Sequence, residues 1–258
     1  MAVEVFGKKD KELNLQLLMQ ELESTLAYYA SIPSRKELVY ENDYHEVAID
    51  PDGKTRSHLN EREVALSGCN EIVSYLKEHT PGKILDFGCG LGWILSTLNS
   101  DWEKFGIEVS EFAADHASNF GSIYRGNYLN FSEKEFDVVV MNHVIEHLPN
   151  PEEAIAKVHS ILKPNGLLII GTPNFDSGAA RRYGNRYRLL NDPTHISLFS
   201  EDSLRRFIRN NRFKIIKAEY PFFETPWFNT ENLLKLLEND TVSPPFYGSF
   251  VTIFARKL

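Results

Sequence analysis

The sequence predicts an α/β chain built on a doubly wound, mostly parallel sheet. Three observations carry that prediction. From residue 83 onward, short apolar runs alternate with helical periodicities. The run Val138-Val139-Val140 is apolar at every position, as in strands covered on both faces. The first run, Ile84-Leu85-Asp86-Phe87, passes directly into Gly88-Cys89-Gly90-Leu91-Gly92, after which Trp93-Ile94-Leu95 and Leu98 begin a helical pattern.

Taken in order, residues 11–29 carry Leu15, Leu18, Leu22 and Leu26 at helical spacing, widened by Leu13, Leu17 and Met19. Such a stripe fits a helical cap on the main domain, with a dimer contact as the alternative. Residues 40–60 are irregular, with a turn at Pro51-Asp52-Gly53. The division expected is therefore an N-terminal cap over 1–60 and a core over 61–258. In the core, a helix is expected over 61–77. Strands are expected at 83–87, 104–108, 122–125, 136–141 and 166–171. Helices are expected after Gly92, at 111–119 and at 151–162, with a turn at Lys163-Pro164-Asn165. A long polar stretch, 173–199, is expected to be a functional loop. A helix at 201–210 and strands at 213–220 and 247–255 complete a seven-stranded sheet.

Composition narrows the function. The chain has 258 residues, 42% hydrophobic and 12% aromatic, which fits one large domain or a domain with a cap. No apolar run reaches membrane-spanning length, and Met1-Ala2-Val3-Glu4 starts no signal-peptide pattern. Cys69 and Cys89 form no metal-type pair, so a cytoplasmic protein is expected. The net charge of −8 argues against a nucleic-acid binder, which needs clustered Lys and Arg. The expected partner is a small molecule, with the chain acting as a monomer or homodimer.

Glycines between a strand and a helix remove Cβ atoms where the backbone turns and a ligand lies against it. The spacing here is G-x-G-x-G rather than G-x-G-x-x-G, and Asp86 stands two residues before it. A pyrophosphate would be repelled by that carboxylate, whereas an ammonium or sulfonium would be attracted. Glu108 follows about 20 residues later at the end of the second strand, the spacing at which an acid accepts bonds from ribose hydroxyls.

The segment Asp86–Gly92 resembles motif I of the class I S-adenosylmethionine-dependent methyltransferases, and the likeness extends over roughly 61–257. It implies a Rossmann-like sheet with an antiparallel last strand and S-adenosyl-L-methionine as cofactor. The implied cofactor contacts are Asp86, Gly88, Cys89, Gly90, Trp93, Glu108, Val109, Asn127, Tyr128, Asn142 and His143. Asn127 stands where such enzymes often carry an acid for the adenine amino group, and its carbonyl can still accept that bond.

The segments His143-Val144-Ile145-Glu146-His147-Leu148-Pro149 and Asn191 to Phe199, which contains Thr194-His195, resemble the ubiquinone-biosynthesis O-methyltransferases and related small-molecule enzymes. In one reading His143 or His195 is a general base that takes the proton of an acceptor hydroxyl. In another, His143, Glu146, His147 and His195 bind a divalent metal, a pattern similar to the small-RNA 3′-terminal 2′-O-methyltransferases. His143 replaces a Glu there, which favours Zn²⁺, Mn²⁺ or Fe²⁺ over Mg²⁺. In a third, Glu146 and His147 only pack. Arg181, Arg182, Arg186 and Arg188, interleaved with Tyr183 and Tyr187, form a local basic cluster suited to a phosphate or carboxylate. The aromatic run over 220–228 is either an apolar wall or core. The expected activity is O-methylation of a small anionic metabolite or sugar derivative. N-methylation, terminal RNA methylation and a non-catalytic partner subunit are the alternatives.

Overall fold

The computed structural model describes residues 48–49, 55–192, 194–222, 230, 234–237, 241–242 and 246–258. The expected helix over 11–29, the turn at 51–53 and the aromatic pair at 227–228 lie outside these. Ala48–Ile49 and Thr55–Arg56 form a short antiparallel ribbon.

The main sheet has strands β1 (Lys83–Phe87), β2 (Glu103–Glu108), β3 (Ser122–Arg125), β4 (Phe136–Asn142), β5 (Leu162–Pro173), β6 (Phe213–Glu219) and β7 (Phe250–Lys257). Their order is β3-β2-β1-β4-β5-β7-β6. The pairs from β3 through β5 are parallel, and β7 runs antiparallel to both β5 and β6. The expected seven-stranded architecture, with its antiparallel last strand, is therefore present.

Helices α1 (Arg62–Ser67), α2 (Asn70–Glu78), α3 (Glu111–Ala117), α4 (Pro151–Ile161), α5 (Gly178–Tyr183), α6 (Arg188–Asn191) and α7 (Glu201–Asn210) connect the strands. Each long strand divides its apolar residues between two cores by simple alternation. Leu85, Phe87, Val139, Met141, Leu168 and Ile170 face one side with Ile155 and Val158 of α4 and Leu204 and Ile208 of α7. Ile84, Val138, Val140, Leu167 and Ile169 face the other with Ile72, Val73 and Leu76 of α2 and Leu95 and Trp102. This is why β4 and β5 read as unbroken apolar runs. Each such side chain contributes about 1.5–3 kcal/mol on burial.

The structure corrects several expected elements. The helix over 61–77 is two helices broken at Gly68–Cys69. Ser67 Oγ donates to Val64 O at 2.7 Å, and Cys69 Sγ to Ala65 O at 3.4 Å, drawing carbonyls out of a continuous ladder. The helix after Gly92 is only a 3₁₀ turn, Leu95–Thr97. There Ser96 and Thr97 hydroxyls donate to Trp93 O and Ile94 O at 2.7 Å each, occupying acceptors that α-helical amides would need. The turn at 163–165 lies inside β5, with Asn165 at φ 58° and a register shift against β4 between Phe136 and Val138. The long stretch 173–199 is structured, containing α5 and α6. Here Ala179, Ala180, Tyr187 and Leu189 supply a small core of their own.

Candidate active site

The strand order reverses between β1 and β4, and their carboxyl ends open the crevice in which α/β sheets bind ligands. A cavity of about 470 Å³ lies there. Asp86, Gly88, Cys89, Gly90, Trp93, Asn142 and His143 line it, together with Glu146, His147 and His195. A larger groove of about 870 Å³ lies along the other face of α1, at Arg62, Glu63, Leu66 and Ser67, and contains neither the glycine turn nor the histidines.

The glycine turn is shaped by backbone alone. Gly88, Gly90 and Gly92 have φ of 74°, 51° and 77°, the left-handed region that side chains disfavour. A Cβ on Gly88 would fall 2.5 Å from Val144 Cγ2, and one on Gly92 would fall 2.9 Å from Ala117 Cβ. Beside Gly90 there is open space, the side left for a ligand. The Gly88 and Cys89 amides donate to Ile107 O at 2.9 and 3.0 Å, fixing the turn to the end of β2. Glu108 secures it further. Its Oε2 accepts from Gly90 N at 2.8 Å and its Oε1 from Val109 N and Ser110 N at 2.8 Å each.

Asp86 is 3% exposed, and no described side chain or amide donates to its carboxylate. Burial, with Glu108 nearby, pushes its pKa up to about 7. A buried acid without a donor is poised for a cation. The structure places the other expected cofactor residues at different distances from this centre. Trp93 lines the cavity and meets His116 edge-on at 4.7 Å between ring centres. Val109 is 53% exposed, Asn127 is exposed and caps the following turn by accepting from Leu129 N at 2.9 Å, and Tyr128 packs on Phe87 at 5.1 Å. These three, and Glu108 itself, are outside the cavity lining.

At the end of β4, His143 adopts φ 54°, a left-handed conformation costing on the order of 1–3 kcal/mol in a non-glycine residue. Its amide donates to Gly171 O at 2.9 Å. Gly171 is required there, because a Cβ would lie 2.3 Å from Asn142 Oδ1. His143 Nδ1 lies 3.2 Å from Glu146 Oε1, and Thr172 Oγ1 donates to Glu146 Oε2 at 3.0 Å. Glu146 is fully buried. Burial alone would raise its pKa, but the bond from His143 and the charges of His143, His147 and His195 outweigh it and hold the carboxyl below its ordinary value. As a carboxylate it can only accept, so His143 carries its proton on Nδ1 and presents Nε2.

The second histidine pair obeys the same logic. His147 Nδ1 lies 3.0 Å from Thr194 O, and His195 Nδ1 lies 2.8 Å from Leu189 O. A carbonyl can only accept, so both rings are held with Nε2 unprotonated when neutral. Burial lowers the pKa of His195, against the charges of Asp192 and Glu146. Ligand-capable atoms of Glu146, His147 and His195 lie within 4.8 Å of one another. His143 joins this group through its bond to Glu146. The two distant segments are bolted together by backbone, with Ile196 N and Ser197 N donating to Glu146 O at 2.7 and 2.8 Å.

The arginines expected at the acceptor are distributed otherwise. Arg181 is exposed and donates two bonds to Asp176, at 2.8 and 2.6 Å. Arg182 is exposed, and Arg186 stacks over Tyr183 at 5.8 Å. None of the three lines the cavity: α5 turns Ala179 and Ala180 inward and Arg181 and Arg182 outward, and Arg186 lies in the 3₁₀ turn that follows. Arg188 of α6 does line it. Sequence reasoning did not assign α1 to the site, yet His58, Glu61, Val64, Ala65 and Cys69 form a wall, with Phe250 of β7 opposite in sequence. The helical spacing of Glu61, Val64, Ala65 and Gly68 was the available signal.

Comparison with known proteins agrees with this geometry. A family model described as a methyltransferase domain matches residues 59–218. An uncharacterised protein of Methanocaldococcus jannaschii is 29% identical over 198 residues, covering 73% of this chain and 92% of that protein. A ubiquinone biosynthesis O-methyltransferase of Rickettsia felis is 32% identical over 113 residues, 40% of this chain and 46% of the enzyme, so the chain spans less than half of it. Among solved structures, a SAM-dependent methyltransferase of Thermotoga maritima, described as a possible histamine N-methyltransferase, superimposes with a TM-score of 0.56 at 23% identity. That superposition covers 76% of this chain and 91% of that one and shows a shared fold. With a family model spanning most of the chain and an acid-backed glycine turn at the sheet's switch point, this protein belongs to the class I methyltransferases and is an enzyme that uses S-adenosylmethionine.

Proposed function

We propose that the enzyme transfers the methyl group to an oxygen of a small, anionic acceptor bound between His143 and α6. The observation that carries this reading is the Glu146–His143 pair at the cavity edge. Its bond keeps a proton on Nδ1, so the neutral imidazole presents a bare Nε2, to which a hydroxyl of the acceptor can give up its proton as the new C–O bond forms. The cofactor supplies a reactive methyl, so the rest of the protein's task is alignment and exclusion of water. Asp86 receives the cofactor's ammonium, and Glu108, at the end of β2, accepts from its ribose. The relative from Rickettsia felis, an O-methyltransferase by name, supports oxygen over nitrogen.

A second reading is favoured by the grouping of Glu146, His147 and His195. One carboxylate and two imidazoles tethered through Nδ1 form a donor set suited to Zn²⁺, Mn²⁺ or Fe²⁺. Such an ion would supply polarisation of the acceptor oxygen. Both readings are tested by following S-adenosylhomocysteine release over a panel of hydroxylated acids, with and without chelator. Turnover that survives chelation but falls by about 100-fold in His143→Ala supports the base alone. Turnover abolished by chelator and restored by one of these ions supports the metal reading. Release unaffected by either change would refute both.

A further inference from the structure

We infer that Thr172 is the positioning residue of the His143–Glu146 pair, the side chain that keeps one carboxylate oxygen turned to the imidazole. This deepens the proposal above and rests on its reading of that pair. Glu146 is fully buried, so protein donors must satisfy its carboxylate. Among the described residues two side chains bond it: His143 Nδ1 at Oε1, 3.2 Å, and Thr172 Oγ1 at Oε2, 3.0 Å. The His143 bond is at the long end of its class. The terminal torsion of a Glu is broad and two-fold, so a carboxylate held at one oxygen can turn. Held at both, it keeps the plane in which it meets His143. A carboxylate only accepts, so the Thr172 hydroxyl spends its proton on Oε2.

The chain also ties Thr172 to the other member of the pair. Gly171 O, on the peptide bond that leads into Thr172, accepts from His143 N at 2.9 Å. One strand end therefore holds His143 by its backbone and Glu146 by its carboxylate. That strand end is rigid. Gly171 pairs with Asn142 of β4, and Thr172 pairs with Val251 of β7. Thr172 is itself buried, so its hydroxyl cannot follow a carboxylate that swings away. The left-handed φ of 54° at His143 and the orientation of Glu146 are thus set from a single point of β5. Valine there has a similar shape and no donor, and it would leave Oε2 a buried acceptor without a partner.

The test is imidazole nitrogen NMR of histidine-labelled, S-adenosylhomocysteine-loaded protein at pH 8, with the His143 signals assigned by their loss in His143→Gln. Wild type is expected to show His143 as the Nδ1–H tautomer. Thr172→Val should move it toward a mixture of the two tautomers. The same change should lower the rate constant of S-adenosylhomocysteine release with the hydroxylated acids, on the order of tenfold, with KM for S-adenosylmethionine within about twofold. Thr172→Ser should restore both readings. Thr172→Ala gives the same readings should the valine variant not fold, and unchanged S-adenosylhomocysteine affinity verifies the fold of each. A His143 tautomer unmoved by loss of the hydroxyl, or a serine variant as impaired as the valine one, would overturn the inference. A moved tautomer with turnover unchanged upholds the hold of Thr172 on Glu146 and counts instead against the role given to the pair above, so the two failures are distinguishable.

Discussion

The cofactor end and the acceptor end of the cavity are made from different materials. At the cofactor end, Asp86 to Gly92 and Glu108 are 22 positions apart at most, and most of the bonds are to backbone amides. At the acceptor end, His143 to His147 meets Leu189 to Ser197 through bonds spanning more than 40 residues. The first end needs few particular side chains and has no room for a Cβ at Gly88 or Gly92. The second needs particular titratable groups: His147 is set by Thr194 of the other segment, and His143 and His195 by Glu146 and Leu189 of their own. The cofactor turn is thus local and backbone-built, while the histidine cluster is assembled from the end of β4 and the stretch that follows β5.

That contrast can be tested at its strongest point with Glu108→Ala. The change strands three amides and removes the proposed ribose acceptor. S-adenosylmethionine affinity measured by calorimetry should fall by about 100-fold or more; a loss within threefold would break the comparison. Glu146→Gln probes the other end. It weakens the bond that orients His143 and removes the carboxylate beside His147 and His195. The rate constant of turnover should fall by about 100-fold, with cofactor affinity nearly unchanged. If cofactor affinity fell in step, the two ends would not be separable.

Asp86→Asn gives the most diagnostic effect. The folded pKa is raised to about 7 from an ordinary 3.8, so the folded state holds a proton that the unfolded state releases first. The cost of ionised Asp86 therefore appears as pH rises from about 4 through 7 and is fully present above that. The Asn variant should be more stable than wild type at pH 8, by about 4 kcal/mol in chemical denaturation, and equal to it near pH 3. Cofactor binding moves the opposite way, because the cation needs the carboxylate. Wild-type affinity should rise with pH to a plateau above about 7, and the Asn variant should bind weakly with a flatter profile. A variant that is destabilised at pH 8 would refute the assignment of Asp86 as a strained, cation-seeking acid.

Much of the cofactor end was legible in the sequence, because strand, glycine turn and acid follow one another and each has a local physical reason. The histidines at 143, 147 and 195 were also legible as candidates. Their roles were not, since tautomer and protonation depend on what each Nδ1 meets. Arg181, Arg182 and Arg186 show why a charge cluster is weak evidence of a site. Arg181 and Arg182 point outward from α5, Arg181 is paired with Asp176, Arg186 lies over Tyr183, and Arg188 lines the cavity. The wall from α1 was missed because a single helix was expected where two short ones stand.

By itself the sequence determined the sheet, its direction and the cofactor. Alternation, apolar runs and left-handed glycines are properties of consecutive residues, and consecutive residues are what a chain specifies directly. Tertiary structure alone decided which histidine nitrogen is free, which arginine enters the cavity and which acid lacks a donor. The arginine, the acid and the tautomer of His147 depend on groups brought together across long stretches of chain; His143 and His195 have nearer partners, whose approach is still set by packing rather than by spacing.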